Sequence, residues 1–242
     1  MSVNLAKYDR NNIGKLFELS QVRPTNTEEE VRQGCRMAVK YNLRTMYSST
    51  LYWADVLKEE LAGSTVYMGT GCCNENGDDT IKAQICEAEA AVKLGYSQID
   101  FCVNTSALLD HKYDFLRSHL NALRGAVGPD ICLKGIIEVC FLTNTEIQAI
   151  SELFVECGIN YVKTSLGLWG GPTVDNVRFI RKVLGDSNVG IKMAGIKAPR
   201  PQNTYAYLLA GADIVGTRAA PAIIDGLENM RKIGIVPAYN PD

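Results

Sequence analysis

Residues 143–165, with the sequence TNTEIQAISELFVECGINYVKTS, carry one helix signal followed at once by one strand signal. Thr143 and Glu146 have the Thr-x-x-Glu spacing of a capping box, which predicts that a helix begins there. An apolar stripe with helical spacing follows and stops at Gly158, a residue type that commonly ends helices. Residues 160–165 are then short and rich in strand-forming side chains, which is typical of a buried strand.

The same alternation of strand and helix runs along the chain, and a second capping box at Thr27 and Glu30 predicts the first helix. Eight strands are predicted, at residues 16–20, 43–48, 65–70, 98–103, 132–139, 160–165, 188–192 and 213–217. Eight strands that are each followed by a helix predict an α/β fold of the (β/α)8 TIM-barrel class. A doubly wound sheet also alternates, but no glycine-rich nucleotide-binding motif follows an early strand, so we favour the barrel.

Length and composition agree with one globular domain of 242 residues, of which 46% are hydrophobic and 21% charged. We expect one barrel domain over residues 1–242, with a short N-terminal helix before the first strand and a tail at 233–242. The net charge of −2 and the absence of a basic run disfavour nucleic-acid partners. No stretch approaches the ~18 apolar residues of a membrane span, and no secretory signal begins the sequence. These features predict a cytoplasmic protein with a small-molecule partner and no membrane partner.

Cysteine and histidine give no sign of a metal centre. The eight cysteines show no Cys-x-x-Cys spacing, and they lie at positions 35, 72, 73, 86, 102, 132, 140 and 157. Reduced, mostly buried thiols are the expected state. His111 and His119 are the two histidines, and we place both in one helical segment away from the strand ends. We therefore expect no metal site.

Three ionisable side chains lie in or at the ends of predicted strands, where TIM-barrel active sites are built. Asp100 belongs to the fourth strand, Lys163 to the sixth and Lys192 to the seventh. Two lysines on neighbouring strands would point into one cavity, and each would make protonation of the other less favourable. Because a neutral lysine attacks carbonyl groups, this set predicts amine catalysis with Asp100 shuttling protons. Taken singly, each lysine could be a solvated surface residue and the aspartate a helix cap.

Glu138 is a charge inside an apolar predicted strand, where an unpaired carboxylate would be costly. Lys134, two residues earlier on the same strand face, and the two strand-end lysines are its candidate partners. A purely structural ion pair and an organising role beside the site remain equally open. The neighbouring Cys140 is expected to be a core residue and not a nucleophile.

An anionic substrate group would bind in a barrel at the loops after the last strands, where glycines expose backbone N–H groups. Gly167, Gly195 and Gly216 are the candidate glycines, and Lys197 and Arg218 would add positive charge. The alternative is that these glycines only allow the chain to turn.

Four ordered motifs resemble one family, the deoxyribose-phosphate aldolases. They are Ile99-Asp100 with Asn104, Ala107 and Leu108; Ile136-Ile137-Glu138-Val139-Cys140 with Leu142-Thr143; Val162-Lys163-Thr164-Ser165 with Gly167; and Ile191-Lys192 with Ala194-Gly195. This class I family cleaves 2-deoxyribose 5-phosphate to acetaldehyde and glyceraldehyde 3-phosphate. The resemblance implies that Lys163 forms the Schiff base, that Lys192 lowers the pKa of Lys163, and that Asp100 relays protons. It also implies a homodimer, a phosphorylated sugar substrate and no cofactor.

Several positions depart from the family pattern. Glu18 and Ser20 stand where the family usually has Asp-x-Thr, and we take them as supporting residues. In the anion region, Ile196 replaces a glycine, Arg218-Ala219 replaces a serine pair, and Leu168-Trp169 replaces small or basic residues. The family often has a carboxy-terminal tyrosine that reaches the active site, and Tyr239 is its possible counterpart.

The departures leave the substrate more open than the chemistry. A second hypothesis is a Schiff-base aldolase or related carbon–carbon lyase that acts on another phosphorylated or carboxylated carbonyl compound. A third, from a different class, is a catalytically lapsed barrel that serves as a binding protein. Retention of Lys163 and Lys192 disfavours the third hypothesis.

Overall fold

The computed structural model describes residues 3–72 and 74–241, and its sheet is a closed barrel of parallel strands in chain order. The strands are β1 (Phe17–Gln21), β2 (Thr45–Ser48), β3 (Tyr67–Gly71), β4 (Gln98–Cys102), β5 (Cys132–Ile136), β6 (Tyr161–Lys163), β7 (Gly190–Met193) and β8 (Ile214–Thr217). Each pairs with its sequence neighbour, and β1 pairs with β8 to close the ring. The predicted TIM-barrel fold is confirmed.

At least one helix follows every strand and packs outside the barrel. The α-helices of the described chain are α1 (Glu28–Lys40), α2 (Ala54–Leu61), α3 (Ile81–Lys93), α4 (Thr105–Leu109), α5 (Tyr113–Val127), α6 (Asn144–Glu156), α7 (Val174–Leu184), α8 (Pro201–Leu209), α9 (Ala220–Asp225) and α10 (Leu227–Lys232). Short 3₁₀ helices lie at Leu5–Lys7, Ile13–Leu16, Leu51–Trp53 and Val139–Phe141. No helix in the described residues is long and apolar enough to cross a membrane.

The helix signals in the sequence act as predicted. The hydroxyl-bearing residues Thr27 and Thr143 cap α1 and α6, and in each case the glutamate three residues later completes the capping box. Gly158 follows α6 with a φ of +67°, a left-handed conformation that glycine adopts without strain. The apolar stripe of α6 is buried against the outer face of the barrel. Local sequence features therefore determine where these helices begin, where α6 ends and which face of α6 is buried.

Strand register sets ionisable residues side by side in pairs inside the barrel. Lys163 of β6 pairs with Lys192 of β7, and Asp100 of β4 pairs with Lys134 of β5. Glu18 lies in β1, where it pairs with Thr45 of β2. Because side chains alternate between the two faces of a strand, these register partners point to the same side of the sheet.

Two local predictions are wrong. Strand β5 ends at Ile136 and not at residue 139, because Glu138 has a φ of +49° and a 3₁₀ turn follows it. His111 is not helical, since it lies between α4 and α5 with a φ of +56°. The short N-terminal helix expected before β1 corresponds to two 3₁₀ helices. A left-handed conformation at a non-glycine residue leaves no clear trace in sequence periodicity.

The carboxy-terminal tail lies at the amino end of the barrel, away from the lysines. The guanidinium of Arg231 lies over the ring of Tyr239, at 5.5 Å, and also donates to the carbonyl of Tyr8. Asn240 N donates to the carbonyl of Ala6 at 2.8 Å. Tyr239 therefore does not reach the strand ends in this structure, contrary to the counterpart that the resemblance suggested. Residues 1, 2, 73 and 242, including Cys73, lie outside the described residues.

Replacing Gly135 by alanine is expected to destabilise the barrel. A Cβ at this position of β5 would lie 2.1 Å from Cζ of Phe154 and 3.0 Å from Cζ of Phe101, so both rings must move. We expect a loss of about 1–3 kcal/mol, which is typical of overpacked cores. Urea unfolding of Gly135→Ala measures this loss.

The matched control is Gly125→Ala in the last turn of α5, where an added Cβ meets no atom within 4 Å. Alanine favours helix over glycine, so this variant should be unchanged or up to about 1 kcal/mol more stable. Equal stability of the two variants would show that the Phe154 contact does not limit the position.

Candidate active site

Five charged side chains converge inside the barrel. They come from five strands, and they are Glu18, Asp100, Lys134, Lys163 and Lys192. Each is at most 6% exposed, although long charged side chains are seldom fully buried unless they are paired. The barrel interior therefore holds a compact ionic cluster in the place of an apolar plug.

Asp100 is the centre of this cluster. Its Oδ2 accepts hydrogen bonds from Lys163 Nζ at 2.8 Å and from Lys192 Nζ at 2.6 Å. Lys192 Nζ also contacts a carboxylate oxygen of Glu18. The structure thus brings together the three residues that the sequence predicted as catalytic, and places the predicted supporting residue Glu18 beside them.

Lys134 occupies the other side of the two carboxylates. Its Nζ lies 3.2 Å from Oε1 of Glu18 and 3.7 Å from Oδ1 of Asp100, and Thr45 donates to the same Glu18 oxygen at 3.3 Å. Lys134, one of the candidate partners considered for Glu138, therefore contacts other carboxylates. Lys134 was not predicted from the sequence to be a site residue. The burial of Lys134 depends on the register of β5 with β4, and the sequence of β5 alone does not reveal that register.

The cluster contains three amines but two carboxylates. Burial alone would raise the pKa of Asp100 and of Glu18, but the surrounding lysines outweigh it and hold both pKa values below their usual range. Burial would lower the pKa of Lys192, yet Asp100 and Glu18 together raise it. Lys192 is therefore held as a cation, and the expected mutual depression of the two amines is wrong for this lysine.

Tyr47 covers the two lysines that Asp100 joins. Its ring centroid lies 5.4 Å from Lys163 Nζ and 5.0 Å from Lys192 Nζ, within the range of a cation–π contact. Gly71 leaves room for it, because a Cβ there would lie 2.8 Å from the Tyr47 hydroxyl. Sequence analysis missed Tyr47, since an aromatic residue in a strand is usually a core residue. Ser20 is half-buried and pairs in register with Tyr47, above Glu18 on the same strand.

Glu138 lies just beyond β5 and not inside it. One carboxylate oxygen accepts a hydrogen bond from the backbone N–H of Leu166, so Glu138 ties the end of β5 to the loop after β6. Burial raises the pKa of this carboxyl, although the Leu166 bond and the nearby Lys163 act in the opposite direction. Cys140 Sγ lies 3.9 Å from the other oxygen and is exposed, so the expectation of a core thiol is wrong.

Two relatives align with this chain over most of its length and over most of their own. It is 32% identical over 218 residues to a deoxyribose-phosphate aldolase of Caldanaerobacter subterraneus subsp. tengcongensis, which covers 88% of this chain and 93% of that protein. It is also 32% identical over 216 residues to the deoxyribose-phosphate aldolase of Brevibacillus brevis, with 89% and 96% coverage. The chain belongs to the deoxyribose-phosphate aldolase family. No protein-family model matches it.

Solved structures agree on the fold of this aldolase. The tetrameric deoxyribose phosphate aldolase of Aeropyrum pernix superposes with a TM-score of 0.81 at 19% identity, covering 94% of this chain and 96% of that one. The chain is therefore an aldehyde-lyase of a TIM-barrel family.

The predicted anion-binding glycines of the aldolase do not all share one role. Gly167 and Gly195 have φ values of +94° and +89°, and a Cβ on Gly167 would lie 2.9 Å from the Cα of Gly195. The loops after β6 and β7 are thus packed backbone against backbone. Gly216 lies within β8, where a Cβ would come within 3.1 Å of Cε of Lys192. It makes room for the lysine and is not part of a loop.

Lys197 and Arg218 lie in the loops after β7 and β8, and both are exposed. Next to the first of these loops, the hydroxyl of Ser165 is buried and has no hydrogen-bond partner in the described chain. Sequence analysis did not select Ser165. The other residues that depart from the family pattern differ in setting, because Ile196 packs on the core whereas Leu168 and Trp169 are exposed.

Asp100→Asn is expected to lower stability in a pH-dependent way. The folded-state pKa of Asp100 lies below its usual range, so its contribution is full above its unfolded pKa of about 3.9 and is lost as pH falls further. Breaking a buried ion pair costs about 3–5 kcal/mol. We expect that deficit near neutral pH, and a smaller one below about pH 4. Urea unfolding of both proteins across this range measures it.

Asp130→Asn, at an exposed position before β5, is the matched control and should change stability little at any pH. A deficit of Asp100→Asn that stays constant down to the acid limit would contradict the ionic role of this carboxylate.

Proposed function

We propose that this single-domain barrel cleaves 2-deoxy-D-ribose 5-phosphate to acetaldehyde and D-glyceraldehyde 3-phosphate through a Schiff base on Lys163. One observation carries the proposal: Lys163 and Lys192 donate to the same oxygen of a buried aspartate. In this proposal Lys163 is the nucleophilic amine, Asp100 carries protons and Lys192 is a fixed cation, and their shared hydrogen bonds support these roles.

Charge balance supports Lys163 as the nucleophile. With three amines and two carboxylates, the buried cluster is relieved of its surplus charge when one amine becomes neutral. Lys192 and Lys134 each contact both Glu18 and Asp100, whereas Lys163 contacts Asp100 alone among the described carboxylates. Lys163 also ends β6, so its amine faces the barrel mouth. Lys163 is therefore the cluster amine with the fewest carboxylate contacts and the one nearest to arriving substrate.

The first stage forms the imine. Neutral Lys163 Nζ attacks C1 of the open-chain aldehyde, and the C1–O π bond breaks. The oxygen takes up a proton as the nitrogen loses one, which gives a carbinolamine. Proton transfer to that hydroxyl releases water and leaves a protonated imine. Asp100, held between Lys163 and Lys192, is placed to move these protons.

The second stage breaks the C2–C3 bond. A base removes the proton of the C3 hydroxyl, the C3–O bond becomes a carbonyl, and the C2–C3 electron pair moves into the iminium to give an enamine. D-Glyceraldehyde 3-phosphate leaves. Protonation of the enamine at C2 and hydrolysis of the new iminium release acetaldehyde and restore Lys163. The iminium accepts the electron pair, so no oxidation state of the protein changes.

Substrate phosphate would bind at the mouth, near the packed loops that contain Gly167 and Gly195. Lys197 and Arg218 are exposed there and can pair with a dianion, and a guanidinium suits bidentate contact with phosphate. The backbone N–H groups of the same loops supply further donors.

A second candidate keeps the chemistry and changes the substrate. Leu168 and Trp169 are exposed in the loop after β6, and the ring of Trp169 lies 5.6 Å from that of Phe141. These apolar side chains at the mouth favour a carbonyl substrate with a less polar tail than a phosphate. Substrate profiling separates the two candidates.

Borohydride reduction in the presence of acetaldehyde or deoxyribose 5-phosphate is expected to leave a covalent adduct on Lys163. The imine is reduced to a stable secondary amine, which peptide mass mapping locates. Lys163→Ala should abolish the adduct and reduce cleavage by at least about 10³-fold, because the covalent route is lost.

Lys182→Ala, on the exposed face of α7, is the matched control and should keep both adduct and activity. An adduct with acetaldehyde but none with the sugar phosphate would keep the chemistry and favour the second candidate. No adduct at Lys163 with either compound would overturn the Schiff-base mechanism.

Arg218→Ala is expected to raise KM for deoxyribose 5-phosphate about tenfold with little change in kcat, because the charge-assisted contact acts on a group distant from the reacting bond. KM for unphosphorylated deoxyribose should stay nearly constant. Steady-state assays on both sugars measure this, and an equal effect on both would contradict a phosphate role for Arg218.

A further inference from the structure

A cavity of about 430 Å³ lies at the end of the barrel opposite the strand ends that carry the lysines. Its lining includes residues that open or immediately precede strands: Arg44 before β2, Cys132 at the start of β5, Tyr161 at the start of β6, Gly190 at the start of β7 and Asp213 before β8. Lys163 instead ends β6. The cavity is therefore separate from the proposed active site.

Arg44 is the notable cation of this cavity. Its guanidinium lies between two tyrosine rings, 5.6 Å from the centroid of Tyr161 and 6.0 Å from that of Tyr67. Its Nε is buried and has no hydrogen-bond partner in the described residues, and no described carboxylate lies within 4.0 Å of its side chain. The guanidinium therefore packs against two aromatic rings and forms no salt bridge among the described residues.

Two other arginines at this end of the barrel use their guanidinium groups to form several hydrogen bonds. Arg124 donates to the carbonyls of Gly128 and Ile131 and to Oδ1 of Asn160. Arg181 donates to the carbonyl of Gly211 and pairs with Asp213. Arg44 differs from these two arginines, because its buried Nε has no hydrogen-bond partner in the described residues.

The remaining polar lining favours an anion. Asp213 brings a carboxylate to the cavity, but its Oδ2 already accepts from Arg181 and from the backbone N–H of Ile191. The hydroxyl of Ser187 lines the same cavity, is buried, and has no partner in the described chain. The cavity thus combines one unneutralised cation with an unused hydroxyl donor. Buried polar groups normally have partners, which indicates a ligand that accepts hydrogen bonds.

We propose that this cavity is a binding site for a small oxyanion, such as phosphate or a carboxylate. Two oxygens of the anion accept from the guanidinium of Arg44, and a further oxygen accepts from Ser187. The planar guanidinium suits such bidentate contact, and the volume accommodates an anion of this size with some water. The site would hold an anion independently of the substrate.

The test is a titration of the full chain with inorganic phosphate, and separately with acetate, at constant ionic strength. The Arg44 Nε–H signal in a ¹H–¹⁵N spectrum, assigned by its loss in Arg44→Gln, reports this cavity directly. We expect a saturable shift of that signal. Calorimetry should show affinity reduced about 10- to 100-fold in Arg44→Gln, because a charge-assisted hydrogen bond contributes about 1.5–3 kcal/mol.

Ser187→Ala retains the guanidinium and should weaken binding about threefold or more, which keeps the test valid if Arg44→Gln does not fold. Arg218→Gln, at the opposite end of the barrel, is the matched control and should leave the Arg44 shift unchanged. A response to phosphate but not to acetate, or the reverse, identifies which oxyanion the site takes. The proposal is overturned if neither anion shifts the Arg44 signal, or if binding is lost in Arg218→Gln and kept in Ser187→Ala.

Discussion

The interior of this barrel depends on one interaction, in which Lys163 and Lys192 both donate to the same oxygen of Asp100. An isolated ion moved from water into a protein interior costs several kcal/mol, and the cluster contains five such groups. They are tolerated because each amine lies beside a carboxylate and each carboxylate lies between amines. The position of every member therefore constrains the others, and the strand register must keep all five within contact distance. The contacts that hold the candidate site together are thus also contacts on which folding depends.

Fitting this cluster into a closed barrel requires space that most barrels fill with branched apolar side chains. Glycines provide it, since Gly71 leaves room for the Tyr47 hydroxyl and Gly216 leaves room for the Lys192 chain. The apolar core lies instead between the sheet and the helices, where Phe154 packs against the barrel. The molecule therefore separates its functions by layer: the outer shell supplies hydrophobic stability, and the inner one holds charge.

Much of the fold could be predicted from sequence because its signals are local. Capping boxes and apolar periodicity locate helices and strands without knowledge of their neighbours, and the strand ends then place Asp100, Lys163 and Lys192 near one another. What was missed depends on contacts between distant strands or on rare backbone conformations. Lys134 was considered only as a candidate partner of Glu138 because its register with β4 was unknown. Glu138 was placed in a strand because its left-handed φ has no sequence signal. The roles of the site residues remain predictions.

The backbone contact between Gly167 and Gly195 bears on how new substrate ranges arise in this scaffold. Any side chain at either position would push the two loops apart, and both loops adjoin strands that carry a cluster lysine. Amino-acid substitutions should therefore be tolerated better at flanking positions such as Leu168, Trp169 and Ile196, which can change without separating the two backbones. A substitution at these flanking positions would alter the rim of the barrel and leave the charged cluster beneath it in place, so the two regions can be changed independently of each other.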